Sequence, residues 1–147
     1  MITPMGTAQK KTVAVIGLGY VGLPLAVRAV ERGYDVIGFD THAEKVEVLK
    51  KKKSPTEDQY LIDNIPKFPF EATTDASRLA DADIVLICVP TPVDEMYYPD
   101  LEPVISAATV SAEHLKKGAL VVLESTVNPG VSEEVIRPIF EEHGHKL

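Results

Sequence analysis

The chain has one cysteine and no tryptophan in 147 residues. Cys88 lies inside the apolar run Ile84 to Val89, so neither an intrachain disulfide nor a cysteine-rich metal site can be built, and the thiol is expected to be buried and unreactive. No apolar run approaches the ~20 residues that a membrane-crossing helix requires. The first residues lack a basic segment followed by a hydrophobic stretch and a cleavage site, so no membrane partner is expected and the expected location is cytoplasmic. Positive charge is in deficit: 15 Lys and Arg against 22 Asp and Glu leave a net charge of -7, which argues against general affinity for nucleic acid. A composition of 45% hydrophobic and 25% charged residues is that of an ordinary globular protein and argues against a disordered chain or a coiled coil. A chain of this length fits one domain, which buries roughly 70% of its unfolded surface.

What the chain does have is glycine at a telling spacing. Val13-Ala14-Val15-Ile16 breaks into Gly17, Gly19 and Gly22 and then continues in a helical pattern. A strand, a phosphate-binding turn and a helix start are predicted. Gly17 suits the tight turn, Gly19 lets backbone approach a pyrophosphate, and Gly22 permits close packing of helix on sheet. Unpaired N–H groups at the positive end of that helix would receive the anion, which matters in a chain whose overall charge is negative. About 20 residues on, Asp40 closes the next apolar run, as a dinucleotide fingerprint requires. A carboxylate there accepts ribose hydroxyls and repels a 2′-phosphate, so NAD is favoured over NADP. Thr41-His42-Ala43-Glu44 also resembles a capping box, which would make Asp40 a neighbour of a helix start; the two roles are compatible. Lys45, one turn into that helix, is a candidate for contact with the adenosine or phosphate.

Apolar runs without alternation predict strands at Lys11 to Ile16, Tyr34 to Phe39, Asp83 to Val89 and Ala119 to Leu123, with a short one at Phe70 to Thr73, as in a parallel sheet covered on both faces. Helices are predicted over Gly22 to Arg32, Thr41 to Lys53, Tyr60 to Ile65, Asp75 to Ala80, Leu101 to Lys117 and Ser132 to Glu142, where Pro138 either kinks the last helix or marks a different boundary. Residues 1–10 read as a flexible leader and 11–147 as the domain. Lys50 to Lys53 suit a helix C-terminus in solvent, and His143 and His145 a frayed helix end, with no metal expected. Pro90-Thr91-Pro92 cannot continue a central strand, so it forms an extended loop over the carboxyl edge of the sheet. Thr91 there either offers a donor to a dinucleotide or belongs to a rigid connection alone. The alternation predicts an α/β fold, a Rossmann-type doubly wound parallel sheet, and the final helix without a following strand makes Leu147 an expected premature end.

Three stretches, Val15-Ile16-Gly17-Leu18-Gly19-Tyr20-Val21-Gly22-Leu23-Pro24, Asp83-Ile84-Val85-Leu86-Ile87-Cys88-Val89-Pro90-Thr91-Pro92 and Glu124-Ser125-Thr126-Val127-Asn128-Pro129-Gly130, together resemble the N-terminal third of the nucleotide-sugar 6-dehydrogenases. These are the UDP-glucose and UDP-N-acetylhexosamine dehydrogenases, and the Gly-Tyr-Val-Gly-Leu-Pro and Val-Pro-Thr-Pro forms lean towards the second branch. The resemblance implies oxidation of a sugar C6 alcohol to a carboxylate in two hydride transfers to NAD. It places Gly17, Gly19, Tyr20, Val21 and Gly22 on the pyrophosphate and Asp40 on the adenosine ribose. Lys45 stands where members often carry arginine. Pro90 and Thr91 would run along the cofactor, Glu124 would lie near the nicotinamide, and Thr126 matches a threonine that positions the catalytic water. The family's cysteine nucleophile belongs to a downstream Gly-rich segment, and mid-strand Cys88 does not match it. The segment from Ser54 to Phe70 departs from the Glu-Pro-Gly-Leu pattern of many members. The implied whole is a longer dehydrogenase, a homodimer or larger, that meets its UDP-sugar only through a C-terminal half; this chain alone is expected to bind NAD without turnover. A stand-alone dinucleotide-binding module, and a domain of the 6-phosphogluconate or hydroxyacyl dehydrogenase type, are the alternatives.

Overall fold

The computed structural model describes residues 9–146. Five strands, β1 (Thr12–Ile16), β2 (Asp35–Phe39), β3 (Glu71–Thr73), β4 (Ile84–Ile87) and β5 (Leu120–Leu123), form one sheet in the order β3-β2-β1-β4-β5. Every pairing within it is parallel. All five carboxyl ends therefore open on one edge, and the order reverses direction at β1, the point where doubly wound sheets bind ligands. The predicted α/β class and the parallel sheet are what the structure has.

The side-chain alternation of β1 divides the core. Ala14 and Ile16 join one buried cluster with Ile37, Phe39, Val85 and Ile87. This cluster is covered by α4 (Glu102–His114), a 3₁₀ turn at Ala76–Asp81, and α5 (Arg137–Glu142). Val13 and Val15 point the other way, into a cluster with Val36 that is covered by α1 (Gly22–Glu31), α2 (Ala43–Lys50) and α3 (Gln59–Asn64). Burial on both faces explains why the strands read as unbroken apolar runs. Strand β5 is the exception: it lies at an edge and leaves Leu120 57% exposed.

Three expectations need correction. Helix α2 begins at Ala43 rather than Thr41, and its N-cap residue His42 makes no side-chain capping bond, so the predicted capping box does not form. The Asp40 carboxylate instead accepts from the His42 N–H two residues on, a local turn just ahead of the helix. The last helix is divided, with a π turn over Ser132–Ile136 before α5, and Pro138 falls in the first turn of α5. Proline has no N–H for the carbonyl four residues back but is tolerated at a helix start, so the break precedes it instead of kinking a continuous helix. The end of α5 is also not frayed. His143 Nδ1 lies 2.7 Å from the Ile139 carbonyl, and His145 Nε2 lies 2.9 Å from that of Ala112, with its ring edge-on to Phe140. Ring N–H groups of this kind satisfy carbonyls that a helix terminus leaves open.

Of the leader, residues 1–8 lie outside the described residues; Lys10 is ordered against Asp35. Among the described residues, no helix is long and apolar enough to cross a membrane.

Candidate functional site at the carboxyl edge of the sheet

Backbone hydrogen bonds carry the strand pattern one step past each strand end. Gly17 N–H donates to the Phe39 carbonyl, Cys88 N–H to Ile16, Glu124 N–H to Ile87 and Asp40 N–H to Thr73. Each predicted site segment therefore leaves the sheet from a position tied to its neighbour. The glycine turn, Asp40, Pro90-Thr91 and Glu124 to Thr126 all emerge at the one edge.

The three glycines differ in what confines them. Gly17 has φ +90°, and a Cβ there would come within 2.8 Å of the Cys88 carbonyl oxygen. A Cβ on Gly22 would sit 1.8 Å from the Gly17 carbonyl oxygen, which locks the start of α1 onto the turn. Gly19 is different: its φ lies outside the left-handed region, and a Cβ would meet nothing within 4 Å. The fold itself does not demand glycine at position 19. Tyr20 and Val21, at the mouth of the turn, are 84% and 53% exposed.

Asp40 is the most constrained polar group of the edge, with its side chain 5% exposed. One carboxylate oxygen, Oδ2, accepts from the Leu18 N–H at 2.9 Å and from Lys45 Nζ at 2.6 Å. The other, Oδ1, accepts from the His42 N–H at 2.9 Å and faces His42 Nδ1 at 3.0 Å. Burial alone would push this carboxyl up; the Lys45 ammonium and the N–H groups of His42 and Leu18 outweigh it and hold the pKa below the ordinary 3.8. Lys45, expected beside a ribose, thus sits on the acid that would hold that ribose.

Two residues at this edge escaped the sequence reading. Ser125 Oγ donates to the Val89 carbonyl at 2.7 Å and its N–H to Ile87, which staples the β5 loop to the strand end leading into Pro90 and Thr91. A hydroxyl in a loop gives no sign of its distant partner. Leu18 lies between Gly17 and Gly19, where the glycine spacing says nothing of its side chain. Its side chain is fully buried against Gly38, where a Cβ would approach Leu18 Cδ2 to 2.9 Å and Phe70 Cε2 to 2.8 Å. Gly38→Ala should therefore displace the residue whose N–H anchors Asp40. The expected cost is about 1–3 kcal/mol by chemical denaturation, together with weaker dinucleotide binding; unchanged stability would show that Leu18 has room to move.

Pro90, Glu124 and Thr126 are exposed and Thr91 is partly buried, so the loops of β4 and β5 present open groups while Asp40 is closed over. Cys88 is buried beneath them. Desolvation, reinforced by the charge of Glu124, pushes its thiol up to about 12, a value that leaves it protonated and without nucleophilic character. Among the described residues, no group of His, Cys, Asp and Glu side chains is arranged to hold a metal ion.

A glycine turn opening a helix at the sheet's reversal point, with a buried acid ending the next strand, is the arrangement of a dinucleotide site. Residues 11–147 match the family model described as the NAD binding domain of the UDP-glucose/GDP-mannose dehydrogenase family. The chain is 37% identical over 130 residues to the UDP-N-acetyl-D-glucosamine 6-dehydrogenase of Pseudomonas aeruginosa, covering 88% of this chain and 31% of that one. It is 37% identical over 135 residues to protein CapL of Staphylococcus aureus, covering 92% of this chain and 31% of that one. Among solved structures, the UDP-D-ManNAc dehydrogenase of Pyrococcus horikoshii superposes with a TM-score of 0.87 at 30% identity, over 92% of this chain and 33% of that one. The chain thus spans about a third of the length of the relatives it matches. The match sets aside a 6-phosphogluconate or hydroxyacyl dehydrogenase origin: this chain belongs to the UDP-glucose/GDP-mannose dehydrogenase family, as its NAD-binding domain.

Proposed function

We infer that residues 11–147 are the cofactor half-site of a UDP-sugar 6-dehydrogenase, in a cytoplasmic setting, and that they hold NAD without turning over a sugar by themselves. The observation that carries the assignment of residues is Gly19, whose missing side chain leaves space that no protein atom claims. In the same turn Gly17 and Gly22 are filled in by the protein's own backbone. A glycine kept small without internal need suits the close approach of a pyrophosphate.

In this reading the N–H groups of the turn at Gly19, Tyr20 and Val21, with the N-terminal end of α1, receive the pyrophosphate. Asp40, with Lys45 beside it, takes the adenosine ribose. Pro90 and Thr91 line the path towards the nicotinamide, and Glu124 lies at that end, positioned by the Ser125 staple. NAD, when bound, supplies the hydride acceptor. Thr126 is proposed to orient the water consumed in forming the carboxylate. Cys88 has no part in the chemistry, because a thiol pushed up to about 12 is not a nucleophile at neutral pH. The UDP-sugar and any second subunit would be engaged by segments beyond those described here.

Calorimetric titration tests the reading. NAD is expected to bind, and to bind more tightly than NADP, because the Asp40 carboxylate repels a 2′-phosphate. A preference for NADP, or oxidation of a UDP-sugar by this chain alone, would overturn it.

A further inference from the structure

A carboxylate offers about four lone-pair positions, and at Asp40 all four are taken. Leu18 N–H and Lys45 Nζ occupy Oδ2, while His42 N–H and His42 Nδ1 occupy Oδ1. A ribose diol brings two hydroxyls, and for even one of them to donate to the carboxylate a present donor has to leave. The two backbone donors are fixed by the glycine turn and by the entry to α2. The Lys45 ammonium carries three N–H groups on a flexible stem and can keep its place on Oδ2 while donating to a ribose oxygen. The imidazole cannot share, since Nδ1 carries a single hydrogen. Its side chain is 76% exposed, and among the described residues Asp40 is the one side chain it pairs with.

We propose that the His42 ring is a displaceable cap on the ribose-binding carboxylate: in the free protein it occupies the Asp40 Oδ1 position that the adenosine diol needs, and it swings into solvent when a dinucleotide binds. The cap keeps the buried carboxylate satisfied in the empty site and competes with the ligand. His42 is thereby a determinant of NAD affinity that acts through Asp40, and its removal strengthens binding. The proposal rests on Asp40 holding the ribose.

The test compares the chain with its His42→Ala and His42→Phe variants by calorimetry, using NAD, ADP and 2′,3′-dideoxyADP. Both variants keep the His42 N–H and lose the ring donor, and phenylalanine keeps the bulk. An exposed pair of this kind limits the gain, so both variants are expected to bind NAD and ADP about two- to fivefold more tightly, with 2′,3′-dideoxyADP unchanged. Unchanged or weaker NAD binding in both variants would overturn the cap. Equal tightening for the dideoxy ligand would also overturn it, because the ring would then act away from the diol. Asp40→Asn separates the two levels: if it binds NAD as the parent does, the ribose assignment itself fails. If it loses NAD while the His42 variants show no gain, only the cap fails. Thermal midpoints matching the parent are expected for both His42 variants, since the ring lies at the surface.

Discussion

Gly22→Ala is expected to cost the domain at least ~3 kcal/mol of stability and, with it, NAD binding. The added Cβ would lie 1.8 Å from the carbonyl oxygen of Gly17; the oxygen is backbone and the Cβ position is set by backbone, so no rotamer change relieves the clash. Relief requires α1 to lift from the turn, which would pull the fully buried Leu23, Ala26 and Val27 out of their cluster. A domain of this size loses ~2–4 °C of melting midpoint per kcal/mol, so the midpoint should fall by roughly 6–12 °C. A midpoint within about 2 °C of the parent would refute the packing argument. Gly19→Ala provides the contrast, because a methyl group there meets no protein atom within 4 Å. Its melting midpoint should match the parent, while NAD binding falls at least about tenfold as the methyl occupies the space assigned to the pyrophosphate. One substitution weakens the fold and the other weakens only the binding of the ligand. If Gly19→Ala bound NAD normally, the open face would not be the phosphate seat.

Asp40→Asn is the second change with a large expected effect. The amide retains one acceptor oxygen, turns an NH₂ group towards the Lys45 ammonium or the Leu18 and His42 N–H groups, and removes the charge that Lys45 answers. NAD affinity should drop at least about tenfold, since hydrogen bonds to a charged acceptor are worth ~1.5–3 kcal/mol each. Discrimination against NADP should shrink at the same time, because the repulsive charge is gone while Lys45 remains. The acid limb of stability should change as well. The folded-state pKa of Asp40 is held below 3.8, so its contribution is fully present above that value and is lost as pH falls through the lower, folded-state value. Urea titrations between about pH 5 and pH 2 should therefore show a shallower acid decline in Asp40→Asn than in the parent. An equally steep decline would assign the acid sensitivity to other carboxylates.

The strands and their order of appearance were legible because a sheet buried on both faces needs continuous apolar runs, which the chain supplies at β1, β2 and β4 and continues at the edge strand β5. Helix boundaries were less so. The capping box expected of Thr41 and Glu44 does not form, and α2 starts instead at Ala43, after the Asp40 carboxylate has taken the His42 N–H. The π turn before α5 comes just after Gly130, where φ is +94°, and no periodicity announces it.

The sequence by itself determined the class of fold, the dinucleotide turn and the acid that ends the second strand, because these depend on local spacing: where glycine can turn, where apolar runs stop, what charge follows. Tertiary structure alone decided what surrounds each of those residues. It separated Gly22 and Gly17, held small by the protein's own backbone, from Gly19, held small against nothing. It stapled the Pro90-Thr91 and Glu124 loops through Ser125 across 36 residues of chain. It also filled every lone pair of Asp40 with protein donors, two of them movable. Contacts of that kind join residues distant in sequence, and their geometry is set by the packing of strands and helices around them.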